Sequence, residues 1–326
     1  MRIIDFDAIQ NLNISIEQCI DWVEQVFRNK FHAVLPPKNS VKFNNGCFFN
    51  TMPSLFPDIN RFGVKVVSRY SPPSRMTFSC TKINSPSIVG NILLYDSSNN
   101  ELLAIMDGTW ITAMRTGATA AVTCGLLKKT QTKSYSFIGL GNMARSVLLF
   151  LNTVMKNEPL EIKLLKYKDQ HNSFIERFSQ FKNMTFQVYD SVPMLIRDSD
   201  VIISCVTVTK TDFTEDADYP EGVLVIPVHT MGFQNCDLFF DKIYCDDIGH
   251  IKNFKYFNQF KNCDEISNIM LGKNKGRGSE KERIIVYNIG VSLHDVFFAS
   301  KIYDLYGDTL KKDVLLQPSN MKRYWV

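Results

Sequence analysis

The chain has 326 residues, of which 45% are hydrophobic, a composition typical of a packed globular protein with one large domain or two moderate ones. Charged residues make up 21% of the sequence and are scattered along it, with a formal net charge of only +4. Because there is no basic arm or stripe, we expect neither nucleic acid nor a membrane surface as a partner, and small molecules are favoured.

The start of the sequence and the spacing of its cysteines predict a cytoplasmic protein. Residues 1–7 lack the basic and then apolar pattern of a secretory signal, and no apolar run approaches the ~20 residues that span a bilayer. The eight cysteines are widely spaced and never form a C-x-x-C pair. This spacing argues against disulfides and structural zinc, so we expect no metal site.

The first part of the chain predicts a helix followed by antiparallel strands. Ser15 and Gln18 match a capping box ahead of apolar residues at helical spacing, which predicts a helix over 16–30. Strand-like runs follow at 46–52, 62–67, 88–95 and 102–106. The last two runs are joined by a short polar turn at 97–100 and are typical of a hairpin.

Beyond residue 134 the pattern changes to apolar strands that alternate with helix-compatible stretches. The predicted strands are 136–140, 162–167, 185–189, 201–206, 223–228, 243–246 and 284–287. Such alternation is typical of a parallel sheet with crossover helices, so the fold class is α/β. Helices are also predicted over 110–129, rich in Ala and Leu, and over 292–306. We place a domain boundary near residue 125.

The strongest local signal is a glycine-rich segment after the first strand of this alternating region. Residues 137–144 read F-I-G-L-G-N-M-A, a G-x-G-x-x-A pattern between a strand and a predicted helix. Gly139 permits a tight turn, Gly141 lets the backbone approach a diphosphate, and Ala144 lets helix and strand pack closely. The residues assigned to this cofactor-binding turn are Gly139, Leu140, Gly141, Asn142, Met143 and Ala144. The pattern predicts binding of NAD or NADP; a plain strand-to-helix turn is the alternative interpretation.

The end of the second strand of this region leaves the choice between NAD and NADP open. NAD sites place an acid there for the ribose 2′-hydroxyl, whereas NADP sites place a base for the 2′-phosphate. Lys168 and Asp169 offer both residue types at adjacent positions, and solvated surface residues are the alternative reading of each.

One segment closely resembles the ornithine cyclodeaminase and μ-crystallin family. Residues 102–118 read L-L-A-I-M-D-G-T-W-I-T-A-M-R-T-G-A, similar to the family segment in which an M-D-G turn precedes an I-T-A-x-R-T helix. The resemblance covers nearly the whole chain in order. The other similar segments are 52–53, 63–67, the glycine turn, 276–277 and 288–290 followed by Asp295.

This resemblance implies two domains and a homodimer. An α+β substrate-binding and dimerisation domain would comprise residues 1–125 and be completed by 300–326, and a Rossmann-type dinucleotide-binding domain would comprise 126–299. In the family the ligands lie in the cleft between these domains. The fold alone leads to a similar expectation, because ligands of open α/β sheets bind outside the carboxyl ends of the strands.

The resemblance also implies that two cations bind the substrate carboxylate. These are Lys65, within an apolar strand, and Arg115, on the helix that follows the M-D-G turn. A guanidinium binds a carboxylate through two hydrogen bonds, and an ammonium adds a point charge and a transferable proton. Thr116 matches the family residue that contacts the cofactor diphosphate. Thr207 and Asn288 complete the predicted cofactor-binding residues.

A third basic contact of the family is an arginine after a proline on an early strand. Lys38 stands at this place after Pro36-Pro37, so the charge is kept but the bidentate fork is not. A surface lysine is the alternative. Met52 is the remaining predicted substrate-binding residue. The side chain of the substrate stays open, because the expected pocket residues Phe49, Met52, Ser68 and Phe233 are generic apolar or small groups.

The chain departs from the cyclodeaminase pattern in one place. Cyclodeaminases of the family carry an aspartate after the fifth strand of the dinucleotide fold, which handles protons at the substrate nitrogen. Residues 228–238 read V-H-T-M-G-F-Q-N-C-D-L, with no acid near Phe233-Gln234, and Asp237 corresponds better to the acid that begins the next helix. The μ-crystallin branch also lacks this aspartate and resembles a ketimine reductase.

The leading hypothesis is therefore an NAD(P)-dependent oxidoreductase that reduces a ketimine or oxidises a small amino acid or N-substituted amino acid, by hydride transfer between nicotinamide and the α carbon. Lys65 is the first candidate proton donor. His229, at the end of a strand, is the second, because imidazole titrates near neutral pH; a structural histidine is the alternative. The rival functions are an ornithine cyclodeaminase-type lyase and a catalytically silent NAD(P)-binding protein.

Overall fold

A computed structural model describes residues 1–44, 47–69, 88–206, 212–229 and 238–307. The strands in chain order are β1 (Arg2–Ile4), β2 (Asn39–Lys42), β3 (Phe48–Phe56), β4 (Arg61–Arg69), β5 (Ile88–Asp96), β6 (Glu101–Asp107), β7 (Ser134–Ile138), β8 (Leu160–Leu165), β9 (Met184–Tyr189), β10 (Val201–Ser204), β11 (Leu224–Pro227), β12 (Lys242–Cys245), β13 (Cys263–Glu265) and β14 (Ile284–Tyr287). The α-helices are α1 (Phe6–Gln10), α2 (Ile16–Asn29), α3 (Thr109–Leu127), α4 (Asn142–Val154), α5 (Gln170–Phe178), α6 (Val192–Arg197), α7 (Ile248–Ile251), α8 (Ile266–Met270) and α9 (Ser292–Tyr306).

The described residues form two compact units. The first contains Met1–Asn13, His32–Ile111 and the chain from Asp295 onward, and the second contains Ile14–Phe31 and Thr112–His294. The predicted domain limits, 1–125 with 300–326 and 126–299, differ from these units mainly at α2 and α3. The reason is that α2 packs against α4 and α8 of the second unit.

The first unit is built on a mainly antiparallel sheet. Within the described residues its strand order is β1-β6-β5-β4-β3-β2, and only the β1–β6 pair is parallel. The predicted hairpin is confirmed as β5 and β6. One face packs against α9: the rings of Phe56 and Phe297 lie 5.5 Å apart, and a Cβ at Gly63 would collide with Val296. The side chains of this face alternate with outward ones along each strand.

Pro53, within β3, lies just beyond the residues of β3 that pair with β2. Leu55 both donates to and accepts from Val34, at 3.0 and 2.9 Å, so its N–H points toward that edge of the strand. Pro53 lies two residues earlier and faces the same edge, beyond the last β2 pair at Thr51. A missing N–H costs least at such a place. The strand predicted over 46–52 ends too early, because β3 continues through Pro53 to Phe56. Residue 46 lies outside the described residues.

The second unit is built on a parallel sheet, which confirms the predicted α/β fold class. Within the described residues its strand order is β13-β12-β14-β11-β10-β7-β8-β9, with every pair parallel. The residues of β7, β10, β11 and β14 are all buried, as expected for strands covered on both faces. The chain leaves β7 for β8 on one side and returns to β10 on the other. This reversal is the topological switch point of a Rossmann-type sheet.

Helix α2 begins as the sequence predicts. Ser15 accepts from the N–H of Gln18, and the Gln18 side chain accepts from the N–H of Ser15, which completes the capping box. Its apolar side chains are buried at five positions and half-buried at Ile16 and Ile20. Among the described helices, none has both the length and the apolar composition that crossing a membrane requires.

Candidate functional site

The glycine turn lies at the switch point of the parallel sheet. Gly139, just after β7, has a φ of +87°, a conformation that L-residues other than glycine rarely adopt. A Cβ there would lie 3.0 Å from the backbone carbonyl of Cys205, whose N–H donates to Ile138 at 2.8 Å. Residue 139 must therefore be glycine for its conformation and also for the close approach of the chain that follows β10.

Gly141 has the opposite surroundings. It is the N-cap of α4, with an ordinary φ of −78°, and among the described residues no atom beyond its chain neighbours lies within 4 Å of the place where its Cβ would be. No side chain caps the helix at this residue. The first N–H groups of a helix have no partner within it and carry the positive end of the helix dipole. Open space in front of such groups fits a diphosphate, so these residues fit the predicted dinucleotide.

The remaining residues of the turn support this arrangement. Leu140 and Ala144 are buried, whereas Asn142 is exposed and Met143 partly exposed at the first turn of α4. A buried alanine at position 144 lets α4 pack closely on the sheet.

Helix α3, which carries Thr116, packs closely on α4. A Cβ at Gly117 would collide with Ser146, and the Ser146 hydroxyl donates to the carbonyl of Ala113 at 2.5 Å. Thr116 itself is buried. The close contact of these two helices therefore places Thr116 on the helix that touches the first turns of α4, consistent with the predicted diphosphate contact.

Arg115 packs against a loop of special conformation. Gly290 has a φ of +75°, and a Cβ there would collide with the Arg115 guanidinium. The N–H of Gly290 donates to Asp246 at 3.0 Å, and the Asn288 side chain donates to the same carboxylate at 2.8 Å. The Thr123 hydroxyl donates to the side-chain amide oxygen of Asn288 at 2.9 Å. The loop that contacts Arg115 is thus fixed by a buried polar network.

Asp246, at the end of β12, is the centre of this network and was missed by the sequence analysis. Burial raises its pKa, against the hydrogen bonds from Asn288 and Gly290 and the charges of Arg115 and Lys30, which lower it. The available signal was an acid directly after an apolar strand. Asn288 is predicted to bind the cofactor. One N–H and the oxygen of its side-chain amide form hydrogen bonds within this network.

The residues predicted near the cofactor ribose follow β8, the neighbour of β7. Lys168 is exposed and has a φ of +48°, and exposed Asp169 is the N-cap of α5. Both lie at the carboxyl edge of the sheet, so either could reach a ribose there, and the preference between NAD and NADP stays a prediction. Thr207 and Phe233 lie outside the described residues.

His229 follows β11 at the same edge of the sheet. It is buried, and its Nε2 lies 3.3 Å from the hydroxyl of Ser204, the last residue of β10. Its position beyond the carboxyl ends of two central strands fits either a proton donor or a structural histidine, and its role stays a prediction.

Lys65 of the first unit forms a buried ion pair that the sequence does not reveal. Its Nζ lies 2.6 Å from Oδ1 of Asp295, and the two side chains are 1% and 0% exposed. Asp295 is in the first turn of α9. It is one of the residues that resemble the family, but the sequence assigned no role to it. The partners are 230 positions apart, so only the packing of α9 on the sheet brings them together. Lys65 therefore does not face water, as a lysine on a half-buried strand can.

Two further predicted substrate-binding residues lie in the first unit with Lys65. Met52 is directly opposite Lys65 on the neighbouring strand, and its side chain is buried on the same face. The expectation that Phe49 and Ser68 line the same pocket is wrong, because these two residues pair with each other on the opposite face of the sheet. Lys38 precedes β2 and is partly buried. Burial lowers the pKa of Lys38, and the positive charge of Lys42 lowers it further. Lys38 is thus close to a second cation rather than to an acid.

Metal-binding side chains do not cluster in the part of the chain that the structure describes: no group of three His, Cys, Asp or Glu residues there could hold an ion. The six described cysteines are free thiols. Burial raises the pKa of Cys205, beside the glycine turn, to about 12.

Together, the parallel sheet, the glycine turn at its switch point and the uncapped helix define a dinucleotide-binding α/β protein. The family model of the ornithine cyclodeaminase/mu-crystallin family matches residues 5–309, and the chain belongs to this family.

Several relatives match along nearly their whole length. The nodulation efficiency protein NfeD of Rhizobium meliloti is 23% identical over 303 residues, covering 90% of this chain and 92% of the relative. A Delta(1)-pyrroline-2-carboxylate reductase of Bacillus cereus is 23% identical over 328 residues, with 93% and 96% covered. The solved structure of the Thermococcus litoralis Delta(1)-pyrroline-2-carboxylate reductase, in complex with NADH and L-proline, superposes with a TM-score of 0.82 at 24% identity, covering 94% of this chain and 97% of that one. This likeness confirms the predicted fold.

Proposed function

We propose that this protein is an NAD(P)-dependent oxidoreductase that reduces the carbon–nitrogen double bond of a small α-imino acid, or oxidises the corresponding amino acid. The observation that carries the proposal is the glycine turn, where Gly139 is required by its conformation and the space beyond Gly141 is open in front of helix α4. The names of the reductase relatives support the same reaction class.

The cofactor supplies a hydride to the α carbon of the imine when bound, and a proton must reach the nitrogen to complete the amine. The protein has to orient the imine, exclude water and provide that proton. We assign orientation of the substrate carboxylate to Arg115 and Lys65, and we add Met52, opposite Lys65 in the sheet, and Lys38, just before β2, as further substrate-binding residues. Both cations are buried, which strengthens a charge-assisted hydrogen bond to a carboxylate.

Lys65 is the first proposed proton donor. Its ion pair with Asp295 holds the ammonium in one orientation and provides an acidic neighbour for proton exchange. His229 is the second, and the hydrogen bond with Ser204 fixes one of its ring nitrogens. The Lys65→Arg variant distinguishes the two donors, because a guanidinium keeps the positive charge but does not release a proton near neutral pH. If Lys65 is the donor, this variant should keep its KM for the imine and lose kcat across the pH range.

We also propose a homodimer and a cytoplasmic location, where nicotinamide dinucleotides are available. The outer face of the first unit's sheet supports the dimer, because it presents large apolar side chains to solvent: Val41 is 61% exposed and Phe49 50%. Neighbouring outward positions in register are also apolar, including Leu55, Phe62 and Val64. Although Thr51 and Ser68 also lie on this face, exposed apolar side chains at these positions are typical of a protein interface, and a sedimentation mass of two chains is the expected result.

The reaction is tested by mixing the protein with NADH or NADPH and imines formed from small 2-keto acids and ammonia or methylamine, together with preformed cyclic imines. Oxidation of the reduced cofactor, followed by absorbance, with formation of the matching amino acid is the expected result. Conversion of ornithine to proline and ammonia without net change in cofactor absorbance would favour the cyclodeaminase reaction instead. Tight cofactor binding without turnover of any imine would favour a silent binding protein.

A further inference from the structure

The sheet face that carries Lys65 continues into two less buried rows, each of which mixes polar and apolar side chains. Met52 is buried on this face, so Asn50 and Phe48, two and four residues earlier on β3, point the same way. The register places Ser40 opposite Asn50, and it places Lys42 and Arg69 on either side of Phe48. Residues directly opposite each other share a face. The face therefore runs from the buried row of Met52 and Lys65, through a row with Val67 beside Asn50, to a partly exposed row in which Lys42 and Arg69 flank Phe48.

The outer row carries positive charge without acidic partners. Within the described residues, no carboxylate lies at ion-pair distance from Lys38, Lys42 or Arg69. The adjoining sequence stretches 45–46 and 70–87 contain no Asp or Glu. The charge of Lys42 also acts on Lys38, whose pKa it helps to lower. Like charges held together at the edge of a partly buried face destabilise each other unless an anion joins them.

Two other cations of the same sheet do have acidic partners. Lys65 is paired with Asp295 on this face, and Arg61, at the far end of β4, bonds to Asp304 at 3.2 Å and lies 4.0 Å from Asp96. Lys65 and Arg61 thus have carboxylate partners, whereas the described residues place no carboxylate at ion-pair distance from Lys42 or Arg69. Between this row and Lys65 lies the Ser40–Asn50 row, whose hydroxyl and amide can donate to an acceptor.

We propose that Lys42 and Arg69 bind a second carboxylate on the substrate, so that the preferred substrate is a dicarboxylic imino or amino acid. This rests on the proposed function, and it extends that function to the side chain that the sequence left open. The α-carboxylate interacts near Lys65 and Lys38, the chain crosses the Ser40–Asn50 row, and the distal carboxylate interacts with Lys42 and Arg69. Successive rows are ~7 Å apart along the strands, and the long side chains of Lys42 and Arg69 can bend back toward the middle row.

The test compares substrates of equal carbon number that differ in the distal charge. With NADH or NADPH and ammonia or methylamine, kcat/KM is measured for 2-ketoglutarate against 2-ketovalerate, and for oxaloacetate against 2-ketobutyrate. We expect at least a tenfold preference for the dicarboxylate in each pair. In Lys42→Gln and in Arg69→Gln, that ratio should fall at least fivefold, and in the double variant it should approach one. The matched control Lys182→Gln, an exposed lysine of the second unit, should keep the wild-type ratio.

Each outcome separates the two proposals. Equal use of both members of a pair by the wild type overturns the second-carboxylate site and leaves the imine reductase intact. A dicarboxylate preference that survives in the double variant overturns the assignment of Lys42 and Arg69. If no imine oxidises the reduced cofactor, the proposed function is overturned. The proposal of a dicarboxylic substrate then fails as well, because it rests on that function. Circular dichroism and urea unfolding of each variant confirm that altered ratios do not come from loss of fold.

Discussion

Lys30 of the second unit and Lys65 of the first are both buried against acids, and the two lysines differ in their surroundings. Lys30, at the end of α2 in the second unit, bonds to the carbonyl of Asp246 and to the carboxylates of Asp247 and Glu265, at 2.8, 2.8 and 2.7 Å. Lys65, in the first unit, pairs with Asp295 at 2.6 Å, and both of these side chains are more deeply buried. Three acceptors match the three donors of an ammonium, so Lys30 has the bonding of a structural lysine.

Burial and an acidic partner therefore do not identify a functional lysine by themselves. Lys65 differs because it lies opposite Met52 on a sheet face that also carries Lys42 and Arg69, two rows away, where the described residues supply no carboxylate at ion-pair distance. Lys30 instead joins α2 to the ends of β12 and β13. Substitution of each lysine, with stability and activity measured separately, turns this contrast into a test.

The largest effect is expected for Lys65→Met. Removing one member of a fully buried ion pair leaves the Asp295 carboxylate in a site of low polarity, which should lower the free energy of unfolding by about 3 to 5 kcal/mol. Activity on the best imine should fall by about 100-fold or more, since loss of a charge-assisted substrate bond and of the proton donor both act on the transition state. Urea unfolding and initial rates measure the two effects.

A second variant separates the two consequences. Lys65→Met combined with Asp295→Leu removes both charges and should recover most of the lost stability, because replacing a buried pair by apolar groups is often neutral. Its activity should stay low. Recovered activity in the double variant would show that Lys65 serves only to neutralise Asp295.

A smaller effect, confined to stability, is expected for Lys30→Met. Asp247 and Glu265 are 16% and 13% exposed, so water can partly solvate them after the ammonium is lost. The free energy of unfolding should fall by about 2 kcal/mol, the range for hydrogen bonds to charged groups. KM values for imine and cofactor should remain those of the wild type. A selective rise in the KM for the imine, with stability unchanged, would remove the distinction between the two lysines.

The smallest effect is the pH dependence contributed by Asp247. Burial alone would raise the pKa of this carboxyl, but hydrogen bonds from His250 and Lys30 and their charges outweigh burial and hold the pKa well below its usual range. Because the folded pKa is lowered, the stabilisation is fully present above the unfolded pKa of ~3.9 and is lost as pH falls through the folded value.

Asp247→Asn should therefore cost about 1 to 2 kcal/mol at neutral pH, with a difference from wild type that shrinks as pH falls below ~4. Thermal unfolding of both proteins across this range provides the measurement. A difference that stayed constant or grew in acid would mean that Asp247 is not ionised in its bonds to Lys30 and His250.

The features that the sequence could predict are those encoded by neighbouring residues. The turn of Gly139 and Gly141, the Ser15–Gln18 capping box and the hairpin at 97–100 each depend on a few adjacent positions, and the structure confirms them. The family resemblance added Lys65 and Arg115, whose burial fits the proposed roles without testing them.

The features that the sequence could not predict arise from contacts between distant segments. Asp295 meets Lys65 only when α9 packs on the sheet, and Asp246 holds Gly290 only when β12 and β14 pair. The cationic row of Lys42 and Arg69 requires the register of three strands, which no local pattern specifies. The short elements α1, β1, β2 and β13 were missed because three to five residues contain too little periodicity to predict.

The most direct test of the account is a fluorescence titration of NADH and NADPH on the wild type and on Gly141→Asp. Position 141 has an ordinary φ and open space for a Cβ, and aspartate is a favourable N-cap, so this variant should fold with unchanged or greater thermal stability. Its carboxylate would occupy the place of the diphosphate and repel it, so the affinity should fall by about 100-fold or more. A folded Gly141→Asp variant that binds the preferred cofactor as tightly as the wild type would contradict the account.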